Sequence, residues 1–527
     1  MKLDSSSDVA RDKGLLNRFW LVISNWMDGS LFFRALTWAM DFVKRLCGGS
    51  FIAGLFVADN AHHNHVMHHS VFARIVDKLL NGFPKPFKPP TEFPETLSAL
   101  ARGSWLMNTA ANKLDTPIPS VASKSSAWHS VFAWLFFAAP VWGLALVTFT
   151  APLLPTMHLA MLLVPILLFA LLSRRFVVDH MMVFLLLFIV LNLISGVLSL
   201  VPHSSMPIAV LTSVFVATVF AISACCQSKD SVDIFFFLFL IGAACTGLVG
   251  VYQWFAGYAL GIWLDQELFA GVGRIVSTFG NPNVYGTYLL LAIPLAAACI
   301  VYVKNPFYKL CALGITGLLT INLLLTLSRG CYLALALSAG IFVLIIEKRL
   351  IVAFIPALVG SLFVLPPTVV NRLLSIVNFQ DTSTAFRLSI WQGSLRILQD
   401  FWMIGLGQGI DAYNRVYPYY AFAAIVSPHS HNLFIQVFVE MGVVGLLVFI
   451  GVLACFFRVM VNFLRNATEF RLKVVAAAMI AAVIGFLFQG IFDHVFYNYR
   501  VMLTFYVFIG LGIAFARIHH VKAVRLS

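Results

Sequence analysis

The chain has 527 residues, 60% of them hydrophobic and 11% charged, with 49 Phe and a mean hydropathy of +0.91. Soluble globular proteins carry about a quarter charged residues, so a soluble reading is excluded. The formal charge of +13 is not a nucleic-acid signature either, because its distribution along the chain has a membrane explanation.

Runs of roughly 17 to 25 apolar residues cross a hydrocarbon core of about 30 Å. They predict twelve spans, near residues 131–153, 156–172, 182–201, 207–227, 233–254, 284–303, 308–327, 330–347, 350–367, 433–457, 473–492 and 500–518. With the N-terminus cytoplasmic, that side holds 28 of the 35 Lys and Arg and the whole positive excess, as the positive-inside rule produces. An even number of spans places both termini in the cytoplasm. The seven basic residues on the outer side are all Arg: Arg274, Arg329, Arg372, Arg387, Arg396, Arg415 and Arg500. Arg grips phosphate or carboxylate through a planar, bidentate fork, so this face reads as anion-recognising. The alternative for each member is an interfacial anchor that snorkels and pairs.

The N-terminus lacks a cleavable signal pattern. Residues 14–46 interleave Phe19, Trp20, Trp26, Phe32, Phe33, Trp38 and Phe42 with Arg18, Arg34, Lys44 and Arg45, the pattern of amphipathic helices on the inner leaflet. A proline-rich linker follows between Asn81 and Pro119. Residues 1–126 are expected to form a cytoplasmic and interfacial extension, partly disordered, ahead of a transmembrane catalytic domain at 127–527. The tract from His62 to His69 could present imidazoles on one helix face. It has no accompanying carboxylate or Cys, and reads as a solvated, biased stretch. The eight cysteines are never spaced C-x-x-C, so they read as packed thiols, not disulfides or a zinc site. Glu440 is the one acid well inside a predicted span. Ion-coupled carriers place several ionisable groups at the midplane, so this scarcity favours chemistry at the outer face over transport.

Two outer connections are long, about 255–283 and about 370–430, the second between the ninth and tenth spans. Long loops in compact bundles tend to be functional. The first carries Arg274 and then Asn281-Pro282-Asn283, a helix start with an Asn cap and Pro in the first turn. Ser328-Arg329-Gly330 forms a tight connection between the seventh and eighth spans. In the second loop, Thr384 to Gln399 is amphipathic, predicting an interfacial helix with Arg387 and Trp391 one turn apart. Tyr413, Tyr417, Tyr419, Tyr420 and Phe422 could stack on sugar rings or form an aromatic belt. The loop ends at Pro428-His429-Ser430-His431-Asn432. At 100° per residue, Gly442 and Gly445 fall on the face of His431, predicting that a neighbouring helix packs closely beneath the histidine. A helix N-terminus disfavours imidazolium and so favours a neutral, proton-accepting ring, the alternative being a histidine that merely caps. Asp493-His494, at the outer end of the eleventh span, is a further candidate for orienting substrate.

His431-Asn432, nine residues, then Gly442-Val443-Val444-Gly445 resembles the H-N-x9-G-x-x-G pattern of the O-antigen ligase and O-antigen polymerase family of bacterial membrane glycosyltransferases. Arg274 followed by Ser277 to Asn283, Ser328-Arg329-Gly330, and Arg387 leading through Trp391 to Gly405-x-Gly407-x-Gly409 resemble it further, over about residues 230–515. The resemblance implies an all-α, GT-C-like polytopic fold in the bacterial cytoplasmic (inner) membrane. It implies a metal-independent transferase, without cofactors, that moves a glycan from undecaprenyl pyrophosphate to a hydroxyl of a glycan, lipid or other acceptor on the outer face. His431 would be the base, and Arg329 and Arg387 would hold the pyrophosphate. Arg274, Asn281, Asn283, His429 and Asn432 are expected to bind substrate, and Gly442 and Gly445 to serve helix packing. The chemistry is consistent on its own terms. Pyrophosphate leaves readily if its developing charge is held, and direct displacement with a positioned base inverts the anomeric carbon. The alternative function is a transporter or flippase of lipid-linked glycans.

Overall fold

The computed structural model describes residues 75, 77, 78, 127–174, 176, 177, 179–257, 273–361, 363, 365–375, 382–422 and 425–525. The amphipathic segment of residues 14–46, the histidine tract and the proline-rich linker lie outside the described residues. Every regular element among those described is helical.

In chain order these are α1 (Ala127–Thr150), α2 (Thr156–Ser173), α3 (His180–Val197), α4 (Pro202–Cys225), α5 (Lys229–Phe255), α6 (Pro282–Tyr302), α7 (Pro306–Leu325) and α8 (Arg329–Glu347). There follow α9 (Ile351–Ser361), α10 (Pro367–Leu374), α11 (Thr382–Phe401), α12 (Ile410–Tyr420), α13 (Leu433–Asn466), α14 (Phe470–Phe492) and α15 (Tyr499–Arg525). Among the described residues nine helices are long and apolar enough to cross a membrane, namely α2 to α7 and α13 to α15, where twelve spans were expected. The chain is a multi-pass, all-α membrane protein. The ninth expected span, 350–367, is instead the eleven-residue α9, short of the about 20 residues that a crossing needs. Pro356 lies inside it and Pro366-Pro367 follow, which limit helix continuation.

α6, α14 and α15 are buried along most of their length. Small residues on α14, including Ala476, Ala477, Ala478, Ala481 and Ala482, are fully buried and allow α6 and α8 to pack closely against it. α2 and α7 leave Met157, Met161, Leu310, Leu313 and Ile321 exposed, apolar faces suited to lipid. Of the seven described cysteines, five are buried, Cys245 is half-buried and Cys311 is exposed.

α13 departs from the expected straight helix. Gly442 adopts φ 67°, ψ −174° within it, and the backbone groups freed by that break bond to the segment after α11. Trp402 O accepts from Val443 N at 2.8 Å, while Leu406 N and Gly407 N donate to Val439 O and Glu440 O at 2.8 and 3.2 Å. The neighbour against Gly442 is therefore the backbone of residues 402–407, not a helix. A Cβ on Gly442 would lie 2.0 Å from Met403 O. At Gly445 an added Cβ would meet Met441 of the same kinked helix at 2.2 Å.

The long loop is largely helical. α11 is the amphipathic helix expected at 384–399, and α10 and α12 flank it. Ile390, Ile397, Leu398, Leu406, Ala412, Tyr413, Val416, Tyr417 and Val439 form a small core of its own. Tyr413 and Tyr417 are stacked at 4.9 Å inside that core, so they are not open to a sugar ring, whereas Tyr419 and Phe422 stay exposed.

Gly442→Ala combines a left-handed backbone with a backbone clash, and should destabilise the protein by at least about 2 kcal/mol. Gly314→Ala, where an added Cβ meets nothing within 4 Å, should be near neutral. Thermal melting of the two variants in one detergent checks the contrast.

Candidate active site

The N-terminal ends of α6, α8, α13 and α15 and the C-terminal ends of α7 and α14 meet at one end of the bundle. Asn432 caps α13, its Oδ1 accepting from Phe434 N and Ile435 N and its Nδ2 donating to Ile491 O at 2.9 Å. His431 lies just outside the helix, with φ +49°, a left-handed conformation uncommon for a residue with a side chain. Its Nδ1 is 3.1 Å from Asp493 Oδ1. Its carbonyl accepts from Trp391 Nε1 at 3.3 Å, and Phe386 of the same α11 packs edge-on against its ring.

Asp493 is buried, which by itself raises its pKa. The hydrogen bond and charge of His431, with smaller contributions from His429 and Arg387, outweigh burial and hold the carboxyl well below the usual carboxylate range. An ionised Asp493 can only accept, so the His431 Nδ1 must carry the proton. In the neutral form of the ring, Nε2 is then left with its lone pair. The ring is partly accessible, with 24% side-chain exposure. The dyad has the orientation of a general base fixed by a carboxylate.

A second group of side chains is built on the turn between α7 and α8. Leu327 in that turn has φ +50°. Arg274 Nε donates to Thr326 O at 2.8 Å and Arg372 Nε to Leu327 O at 3.2 Å, so two guanidinium groups brace the strained turn. Arg329, the first residue of α8, donates from Nη1 to Ser375 O at 3.1 Å, at the end of α10. Burial first, then the charges of Arg372 and Arg387, push the Arg274 guanidinium down to about 9. The charge of Arg387 acts in the lowering direction on both Arg274 and Asp493, as the smallest contribution to each. An anion between these cations would relieve their mutual repulsion.

The other candidates make contacts within the protein. Asn281 Oδ1 caps α6 by accepting from Asn283 N and Val284 N, and Asn283 Oδ1 accepts from Arg274 Nη2 at 3.0 Å. Both amide oxygens are engaged within the protein. His429 is buried against Tyr497, with rings stacked at 4.8 Å, and burial and His431 lower it to about 4. Among the remaining outer arginines, Arg500 donates to Thr278 O, Arg396 lies over the Phe422 ring at 5.6 Å, and Arg415 is exposed on α12. His429, His431 and Asp493 each offer a possible metal-ligand atom within 4.8 Å of the others. The bond between His431 and Asp493 competes with that use.

Residues 314–450 match the family model described as O-antigen ligase. A multi-pass helical membrane protein with this match is of the glycan-transferring class in general terms. The chain carries an O-antigen ligase family domain. No curated protein matches it. The matched segment includes Arg329, Arg372, Arg387, His431 and Gly442; Arg274 and Asp493 lie outside it. From sequence Arg372 is only one of seven outer arginines, and Asp493 a candidate for orienting substrate; its contact with His431 is not legible there. The available signal was an Asp-His pair closing an apolar helix, 62 residues from its partner.

Neutral burial of His429 and His494 has a pH consequence. Burial lowers both, His429 to about 4, whereas unfolded His titrates near 6.5. The unfolded chain therefore binds more protons between those values, and stability should be lost as pH falls through the window, by roughly 3 kcal/mol for His429. Melting temperatures from pH 7 to 4 should fall accordingly, with a shallower slope in His429→Asn.

Proposed function

We propose that the protein transfers a glycan from undecaprenyl pyrophosphate to an acceptor hydroxyl on the outer face of the bacterial cytoplasmic membrane, with both termini in the cytoplasm. The observation that carries this reading is the His431–Asp493 dyad, with an available Nε2, at the same end of the bundle as the arginines built on the turn between α7 and α8. In the proposed step His431 Nε2 takes the acceptor proton as the acceptor oxygen bonds to the anomeric carbon. The bond from that carbon to the phosphate oxygen breaks, and its electron pair leaves with undecaprenyl pyrophosphate. The attack is direct, so the anomeric carbon inverts.

Arg329 and Arg387 hold the developing pyrophosphate charge. Preorganised cations in a site shielded from water do this without reorganisation at the moment of reaction. Arg274 supports them from beneath, and Asn281 and Asn283 act through the α6 start and Arg274. Asn432 acts through the α13 start. Cationic forks can supply the charge stabilisation that a metal ion gives in other transferases, so the reading is metal-independent. Whether the acceptor is a second glycan or a lipid is decided by what occupies the open side of His431.

Purified protein in nanodiscs, given undecaprenyl-pyrophosphate glycan and candidate acceptors, should form a covalent product with EDTA present. His431→Ala should lower the rate by about 10²–10⁴-fold, the range for a general base, and Asp493→Asn should lower kcat while leaving the protein folded. Arg387→Ala and Arg329→Ala should each cost a comparable factor. Product mass spectrometry reads all of these, and glycan movement across a sealed vesicle without any covalent product would favour a flippase instead.

A further inference from the structure

His429 was expected to bind substrate, yet its surroundings assign it other work. Its side chain is 5% exposed. Its ring is stacked on Tyr497 and meets His494 at 5.5 Å. Its Nδ1 accepts the backbone N–H of His431 at 3.2 Å. A side-chain acceptor bonding the amide two residues on is what Asn and Asp do in Asx turns, and here an imidazole performs it. Ser427 Oγ donates to His429 O at 2.6 Å, and Ser430 N donates to Gln436 Oε1 at 2.8 Å, so the turn carrying His429 is fixed on both sides.

His431 is held at three points. Asp493 holds its ring, Trp391 its carbonyl and His429 its amide. Of these, the amide bond bears most directly on φ, the angle that is left-handed at +49°. A histidine in that backbone region needs its surroundings to keep it there.

We propose that His429 is a positioning residue whose Nδ1, by accepting the His431 amide, keeps His431 in the left-handed conformation that sets its ring on Asp493. The inference rests on the reading of His431 as the base. It requires a neutral His429 ring with its proton on Nε2. Of the groups facing that ring, Tyr497 and His494 bury it, His431 disfavours its charge and Asp493 favours it; burial is the largest effect and leaves it neutral, with its pKa near 4. It also separates two roles that adjoining histidines would otherwise share: one ring faces the acceptor, and the other maintains the backbone beneath it.

Side-chain geometry supplies the test. Asn Oδ1 occupies the place of a histidine Nδ1, one bond beyond Cγ, whereas Gln Oε1 reaches the place of Nε2. Transfer to an established acceptor is measured for wild type, His429→Asn, His429→Gln and His429→Phe, with kcat and KM separated and folding followed by melting and size exclusion. His429→Asn should keep kcat within about threefold of wild type. The Gln and Phe variants should lose kcat by about 100-fold, the cost of a misplacement of about 1 Å, with KM little changed. Activity kept by Gln and lost by Asn, or a loss confined to KM, would mean that His429 touches substrate through Nε2 and would overturn the proposal. Should Gln and Phe fail to fold, Asn decides alone: a folded, inactive Asn variant is equally fatal to it. A His431→Ala control that still transfers glycan would instead remove the reading on which the inference rests.

Discussion

The break in α13 at Gly442 is the constraint on which the functional end of the molecule depends. In a hydrocarbon layer an unsatisfied backbone group costs several kcal/mol, so a helix can open there only if another segment takes up its freed groups. Residues 402–407 do so, through Trp402 O, Leu406 N and Gly407 N. Leu406 O in turn accepts from Leu200 N and Ser199 Oγ, and Ser195 Oγ donates to Glu440 O. The glycines of the G-x-G-x-G run all have positive φ, and an added Cβ on Gly407 would lie 2.0 Å from Ser199 Oγ. One opened turn thereby fastens the long loop to α3 and α13. It fixes α11, which carries Phe386, Arg387 and Trp391, relative to His431.

Strain is concentrated at the same end. The three non-glycine residues with positive φ among those described are Ser277, Leu327 and His431, one in each of the segments that bring together the arginines and the base. Each is held by neighbours that over-determine it. Gln253 accepts from Ser277 N and donates to Ser277 O, Arg372 bonds Leu327 O, and His429 bonds His431 N. Costs of this kind persist where the surrounding structure fixes the geometry, and here they fix three short connections in one place. The electrostatics are arranged in parallel: a buried carboxylate stabilises one ring, while the nearby arginines form a cationic surface that an anion would complement.

Much of this was legible from sequence because it depends on local chemistry. Apolar length and the distribution of Lys and Arg identified the membrane class, since the bilayer acts on each segment separately. Asn281 was readable as a helix start because capping involves only the next two or three residues, whereas the cap of α13 proved to be Asn432, one residue after His431. The amphipathic pattern at 384–399 became α11. The shared face of Gly442, Gly445 and His431 does not survive in the fold, because it requires an unbroken helix and both ends of that interval leave it: His431 is outside the cap and Gly442 opens the backbone. The tyrosines of α12 were ambiguous for a related reason. Aromatics that cover a small core and aromatics that face a ligand have the same spacing.

Hydropathy along the chain is enough to make this a multi-pass helical membrane protein, and the His-Asn and Arg positions that resemble the O-antigen ligase family can be read directly from the sequence. These are properties of segments, set by hydropathy and by short-range hydrogen bonding. Helix packing, by contrast, brings Asp493 to His431 across 62 residues, sets Arg274 and Arg372 against the turn presenting Arg329, and turns His429 inward. Such contacts join the ends of separate helices. No local pattern encodes them, because they follow from how the helices pack and where α13 opens.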